Sequence, residues 1–323
     1  MSPTDNIKIT LYEPWMRDQV VRMICQEYGL REEDQDGLMK NFYEHPFQRG
    51  KSIRIVALDG EKMAGFQSFF YWPYLLDGKP VNTYQSGNSI VGPNYRGRWI
   101  FSRLLRYIDE IREDHHIDFL MGFPVLTSYN SFIRNKWSNV LNLNWYVKVI
   151  SPFSVVRKLD LAKLSLKDEP ECMPCIPTWK GFTLNCGPEF DNWRKTYSKS
   201  NGYLYFHHDD GSYRVQFDLK VNLRGRLKEL IVGRVRTDCD NIDFLTKAVK
   251  SLVKKVRRQH AFTFVSVALN RRYLKPEILM AFRQLGFKLI DKEIFFIVKD
   301  YMVGERVYKP ELWNLYRSDI DTW

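Results

Sequence analysis

Two spacings of apolar residues run through the chain. Short stretches alternate apolar with polar positions, and longer ones repeat apolar residues every three or four places, which predicts strands and helices respectively. Ile7 to Tyr12 reads as a strand closed by Glu13-Pro14, and a helix follows from about Trp15 to Tyr28, with proline near its first turn and Gly29 ending it. Glu32 to Glu44 carries Leu38, Met39, Phe42 and Tyr43 at helical spacing before Pro46 stops it. Ile53–Leu58 and Met63–Trp72 flank Asp59-Gly60, a dipeptide that suits a two-residue turn and so predicts a hairpin. Asn82 to Val91 is an extended run that Gly92-Pro93 ends, since proline lacks a ladder donor and restricts the residue before it. From Ile100 the apolar positions are Ile100, Phe101, Leu104, Leu105, Ile108 and Ile111, the spacing of one buried helix face.

Ile117–Pro124 then reads as a buried strand, Ser128–Trp137 as a short helix and Trp145–Val156 as closing strands of a first domain, residues 1–156. Periodicity fades from Arg157, where lysines, prolines and acids mix, so residues 157–178 are expected to be a linker. A second unit, 179–323, follows. Its strands are Tyr203–Phe206, Tyr213–Leu219 and Leu227–Val235, then a helix Ile242–Gln259, a strand Phe262–Leu269, a helix Pro276–Leu285 capped by Gly286, and a strand Phe287–Val298. Strands mixed with crossing helices in both halves predict an α/β fold with a mixed sheet.

Composition narrows the class. At 323 residues with 44% hydrophobic and 15% aromatic residues, the chain can bury two ordinary cores. No stretch has the apolar length of a membrane span and the N-terminus lacks a signal-peptide pattern, so a cytoplasmic location is expected. A net charge of +11 suits an anionic partner, whether nucleic acid, a polyphosphate cofactor or acidic sugars, and does not choose among them. Basic runs such as Lys254–Arg258 read first as solvated helix faces, and no nucleic-acid motif accompanies them. Five cysteines argue against a disulfide scaffold; Cys172-Met-Pro-Cys175 has the gap of a zinc knuckle, but no second pair completes a ligand set and no metal is expected.

The chemistry concentrates at Asn94-Tyr-Arg-Gly-Arg98, a basic, glycine-bearing turn that opens the helix at Ile100. First-turn N–H groups lack intrahelical acceptors and the macrodipole favours negative charge there, so the turn is a candidate anion site. Val91-x-Pro93-x-Tyr95-Arg96-Gly97 followed by a helix resembles the acyl-CoA-binding motif of the GNAT acetyltransferase superfamily. In that family the turn reads Arg or Gln, two residues, Gly, one residue, Gly or Ala. Arg96 takes the first place, while Trp99 and Phe101 stand where the small residues are usual. The resemblance extends to Gly122-Phe-Pro124 and to Leu285-Gly-Phe287, and implies tandem GNAT-like domains, the second lacking the phosphate-binding turn because Thr237–Asn241 is acidic and has no glycine.

Acetyl-CoA or another acyl-CoA is the cofactor this resemblance implies, held by Ile90, Val91, Arg96, Gly97, Arg98, Trp99, Ile100 and Phe101, with the acceptor a small amine or amino sugar. Phe132 lies where many members keep a tyrosine as general acid, and a phenyl ring has no proton to give, so Tyr129 is the candidate acid. Glu44 and His45 are candidate bases, because that segment lines the acceptor side in the family. Asp319 and Asp321, in the aromatic tail, are placed by the same resemblance toward the acceptor. With Val125 and Lys136 also departing from the family pattern, a GNAT-shaped binding or scaffold module is the alternative to an N-acyltransferase.

Overall fold

The computed structural model describes residues 6–30, 37, 39–156, 159, 166, 179–197, 203–237, 239–259, 262–273 and 275–321. The Cys172/Cys175 pair, nearly all of 157–178 and part of the Glu32–Glu44 segment lie outside the described residues.

The predicted hairpin forms as β2 (Ile53–Asp59) and β3 (Lys62–Tyr71), with Asp59 opposite Lys62 and Gly60 at φ 59°, the left-handed conformation a primed turn needs. β1 (Ile7–Leu11) pairs antiparallel with β2, and β6 (Thr83–Val91) antiparallel with β3. Between β3 and β6 lies an unpredicted hairpin, β4 (Tyr74–Leu76) and β5 (Lys79–Val81), turned by Asp77 and Gly78, both at positive φ. β7 (Phe119–Gly122) runs parallel to β6.

The closing strands differ from expectation. Ser138–Val149 is one long strand, β8, where separate strands from Trp145 were predicted, and the helix before it, α3, spans Leu126–Arg134 rather than reaching Trp137. Trp137 instead turns inward and is buried, which ends the helix. After the 157–178 stretch come two elements the periodicity did not show, β9 (Phe182–Leu184) and helix α4 (Pro188–Tyr197). The C-terminal part supplies β10 (Tyr203–Asp209), β11 (Arg214–Arg224), β12 (Leu227–Arg236), helix α5 (Ile242–Gln259), β13 (Phe264–Leu269), helix α6 (Pro276–Gln284) and β14 (Lys288–Asp300).

All but four strands join one mixed eleven-stranded sheet, ordered β1-β2-β3-β6-β7-β14-β8-β13-β12-β11-β10. The order interleaves the halves: β14 lies between β7 and β8, while β8 pairs with β13 on its other edge. Each half lends its closing strand to the other. A second sheet, β15 (Trp313–Asn314)-β9-β4-β5, ties the tail to the early hairpin.

Alternation along the strands divides the core. One face of the early strands, with Phe66, Phe70 and Ile90, packs against helix α1 (Arg17–Tyr28) and the tail, and the other, with Ile55, Phe69 and Tyr84, against helix α2 (Ile100–Glu110). A third cluster gathers α5 and α6 on β11–β13. Trp313 anchors the tail, its ring stacked 4.2 Å from Phe182 and edge-on to Phe119 and Phe296; such pairs contribute about 0.5–1.5 kcal/mol each beyond burial. Among the described residues no helix is long and apolar enough to cross a membrane.

Candidate active site

β6 and β7 share a parallel ladder only from Thr83/Phe119 to Ser86/Gly122; there β7 ends, while β6 runs on to Val91. The divergence coincides with a bulge. Phe66 faces Ile90 and Ser68 faces Gly87, so two residues of β6, Asn88 and Ser89, oppose Gln67 alone, and Asn88 takes φ 49°. Buried amide and hydroxyl groups hold this irregular backbone. Gln67 Nε2 donates to Ser86 Oγ at 3.0 Å, Ser89 Oγ donates to Gln67 Oε1 at 2.5 Å, and Ser68 Oγ donates to the Gly87 carbonyl at 2.9 Å.

The turn after β6 sits at the open end of this gap. Gly97 at φ 77° and Trp99 at φ 59° are both left-handed, and Trp99 is the N-cap of α2 with no side-chain cap. Left-handed backbone costs a residue other than glycine energy, so Trp99 carries strain there. Trp99 is 64% exposed, so its indole is not packed into the core. Arg96 is held beneath the turn, its Nε donating to the Val91 carbonyl at 3.1 Å and its guanidinium pairing with Glu27 of α1 at 2.9 Å. Beside the turn opens a groove of about 400 Å³ lined by Trp99, Ser102, Arg106, Asp109, Arg134, Asn135 and Lys136. Asp109 is already engaged by Lys299 at 2.6 Å and Tyr301 at 2.5 Å, so positive charge prevails there. A wider groove of about 640 Å³ is lined by residues of β8, of β14 and of the stretch after β13, among them Asn142, Asn144, Arg271, Arg272, Asp291 and Lys292.

The residues from Ile90 to Phe101 are thus gathered along one edge of the gap. The candidate acid and bases are not. Tyr129 on α3 is half-buried with its ring 4.7 Å from Phe295 of β14, and Phe132 is buried against Phe101 and Trp137. Glu44 pairs with Arg17 of α1 at 3.1 Å, and His45 accepts the Phe47 N–H at 3.2 Å, with burial lowering its pKa. The residue of that segment that reaches the bulge is Tyr43: its hydroxyl lies 3.0 Å from Ser68 Oγ and accepts from Asn88 Nδ2 at 2.6 Å. Burial raises the pKa of this phenol, so it stays protonated. Met39–Tyr43 is a π-helical turn rather than part of an α-helix, which no periodicity count would reveal.

No protein-family model matches the sequence, and no curated protein does. Solved structures do match. A GCN5-related N-acetyltransferase from Anabaena variabilis superposes with a TM-score of 0.60 at 11% identity, over 91% of this chain and 72% of that one. The chain has the GNAT fold. A tandem GNAT protein of the clavulanic acid biosynthesis pathway matches with a TM-score of 0.55 at 12% identity, covering 91% of this chain and 98% of that one. N-myristoyltransferase of Saccharomyces cerevisiae, solved with myristoyl-CoA bound, matches at 0.55 and 10% identity over 99% of this chain and 86% of that one.

The two GNAT-like halves treat their central helix differently. In the second, Asn241 Oδ1 accepts from the N–H groups of Asp243 and Phe244, so α5 caps itself where α2 does not. Charge is buried in that half instead. Arg236 pairs with Asp218 at 2.7 Å, and Arg234 pairs with fully buried Asp319 of the tail. Tyr74 of β4 donates to Asp319 Oδ2 at 3.1 Å, Arg234 Nε to Ser318 Oγ at 3.1 Å, and Arg194 of α4 to the Ser318 carbonyl at 3.1 Å. Cys186 at this cluster is pushed up to about 11 by burial, which keeps it a thiol.

Proposed function

We propose that this chain is an acyl-CoA-dependent N-acyltransferase that moves an acetyl group from acetyl-CoA to the amine of a small molecule or amino sugar. The observation that carries this reading is the uncapped start of α2, framed by left-handed Gly97 and Trp99, at the mouth of the gap between β6 and β7. Unpaired N–H groups at a helix start suit a pyrophosphate. Two diverging parallel strands leave a backbone edge that an extended, amide-bearing arm such as pantetheine can pair with. The groove of Arg106, Arg134 and Lys136 beside the Trp99 indole suits a phosphorylated nucleotide.

In this reading the thioester carbonyl meets the N–H groups of the Ile90–Val91 stretch, which polarise it toward attack. Tyr43, Ser68, Asn88 and Ser89 offer the acceptor a polar lining at the bulge. Calorimetric titration of acetyl-CoA and free CoA is the test, with Arg96→Ala as the control. Micromolar affinity weakened about tenfold or more in the variant supports the site, since a charge-assisted hydrogen bond contributes about 1.5–3 kcal/mol. Absence of binding to wild type overturns it. The buried Phe132 favours a second reading, a binding module without catalysis, and acyl transfer that depends on Arg96 decides against that.

A further inference from the structure

β6 and β7 bring no carboxylate to the bulge. The tail brings one. A Cβ placed on Gly87, at the point where the strands part, would lie 2.9 Å from Asp321 Oδ2. The Asp321 N–H donates to Gln85 Oε1 at 3.0 Å, and Gln85 Nε2 donates to the Asp319 carbonyl at 3.4 Å, so β6 itself holds this stretch of tail. Two residues earlier Asp319 is locked by Arg234 and Tyr74, and its Oδ2 also accepts the Tyr316 N–H at 3.2 Å. A buried, multiply bonded carboxylate of this kind fixes direction as well as position. Asp321 itself is half-buried.

We propose that Asp321 is the base of the acyl transfer, accepting the proton of the acceptor's ammonium group, and that the Arg234–Asp319 pair is the clasp that positions it. The inference rests on the N-acyltransferase reading. The ammonium gives one proton to the Asp321 carboxylate, and the freed nitrogen lone pair forms a bond to the thioester carbonyl carbon. The tetrahedral adduct breaks its C–S bond, the second nitrogen proton passes to the departing sulfur to give the thiol, and Asp321 returns its proton to water as the amide leaves. The second half thus serves the first through its tail, since Arg234 stands on β12 while Gly87 stands on β6.

Among the described residues, Tyr28 of α1 feels the charge of Asp321 and of Glu27 on the same helix, and Tyr43 on the π-turn in turn feels Tyr28. Tyr28 is pushed up to about 12, by burial first and then by the negative charge of Asp321 and of Glu27. It therefore remains a neutral phenol near neutral pH.

Asp321→Asn tests this with two acetyl acceptors, benzylamine, which is protonated at neutral pH, and hydroxylamine, which is not. Loss of a general base costs about 10²–10⁴-fold in rate, so kcat for benzylamine falls by at least about 100-fold in the variant, while the dissociation constant for acetyl-CoA and the transfer to hydroxylamine are kept. The acidic limb of the pH–rate profile disappears with benzylamine, and Tyr28 titrates at lower pH by ultraviolet absorbance. At the clasp, Arg234→Lys keeps more of kcat than Arg234→Met, with KM for acetyl-CoA unchanged in both. Benzylamine transfer by Asp321→Asn with an unaltered pH profile overturns the proposal, as does a wild type that binds acetyl-CoA and acetylates neither amine. A wild type that binds no acetyl-CoA overturns the function beneath it instead.

Discussion

Replacing Trp99 with glycine separates what the residue costs the fold from what it gives the site. Its backbone sits at φ 59°, ψ 14°, which penalises a non-glycine residue by roughly 1–2 kcal/mol. Glycine relieves that strain but loses about 0.5–1 kcal/mol to the unfolded chain's freedom. The indole is 64% exposed, so only about a third of its surface is buried, and removing it costs at most roughly 2 kcal/mol by area. Gain and loss oppose each other at similar size, and Trp99→Gly is expected to unfold within about 1 kcal/mol of wild type. Binding is expected to change more. An aromatic side chain stacked on a base contributes about 1–3 kcal/mol, so affinity for CoA falls by about tenfold or more while affinity for pantetheine, which has no base, stays the same. Calorimetry with both ligands reads this directly, and Trp99→Phe recovers part of the loss. If Trp99→Gly binds CoA as tightly as wild type or more tightly, the indole is an obstacle or a bystander, and the nucleotide does not lie in the groove of Arg106 and Lys136.

Four further outcomes follow from particular contacts. Phe132→Tyr adds a hydroxyl to a buried ring whose centroid lies 5.3 and 5.0 Å from those of Phe101 and Trp137, so stability falls by about 1–3 kcal/mol and transfer does not rise; a rise of tenfold or more would make position 132 the missing acid. Gly87→Ala drives a methyl into the Phe70 ring and against Asp321, so thermal stability drops by about 1–3 kcal/mol and amine transfer falls further than acetyl-CoA affinity. Lys220 is pushed down to about 7, by burial first and then by Arg194 and Arg317. Between that value and the unfolded lysine's, about 10.4, the unfolded chain binds the extra proton, so stability rises with pH across this window with a slope of at most about 1.4 kcal/mol per unit. Urea unfolding at neutral and mildly alkaline pH checks this, and Lys220→Met flattens the slope. Finally, residues 1–178 expressed alone leave β7 without β14 along one edge and are expected to aggregate, and co-expression with 179–323 restores solubility; a soluble, monomeric 1–178 fragment would show that β7 does not need that partner.

Elements whose stability is written in their own spacing were legible. The apolar stripe from Ile100 to Ile108, the stripe of Leu245 to Val256 and the Asp59-Gly60 turn each formed close to where the pattern put them. The exchange of closing strands was not legible, for a physical reason. In β8, Leu141, Leu143 and Trp145 alternate with Asn142 and Asn144, and a period of two tells which face each side chain takes. It carries no information about which strand lies at either edge, because backbone hydrogen bonds are the same for every partner. β8 met β14 and β13, neither adjacent in sequence, and the choice was made by the whole sheet.

The site was readable to the same depth. The turn at Arg96–Trp99 drew attention because a basic glycine turn before a helix has a local meaning, but the left-handed backbone of Trp99 and the exposure of its indole had no signature in the sequence. At the acceptor side, the resemblance to the family pointed to Glu44 and His45. The Glu44 N–H instead reaches back to the Met39 carbonyl at 2.8 Å, five residues away, and the extra residue in that turn rotates the side chains that follow. Tyr43 is thereby aimed at Ser68 and Asn88, and Glu44 at Arg17. The tail aspartates were likewise given one role by the resemblance, and burial divides them. Asp319, fully enclosed and bound by Arg234, is committed to structure, while Asp321, two residues on and half-buried, lies beside Gly87 where β6 parts from β7.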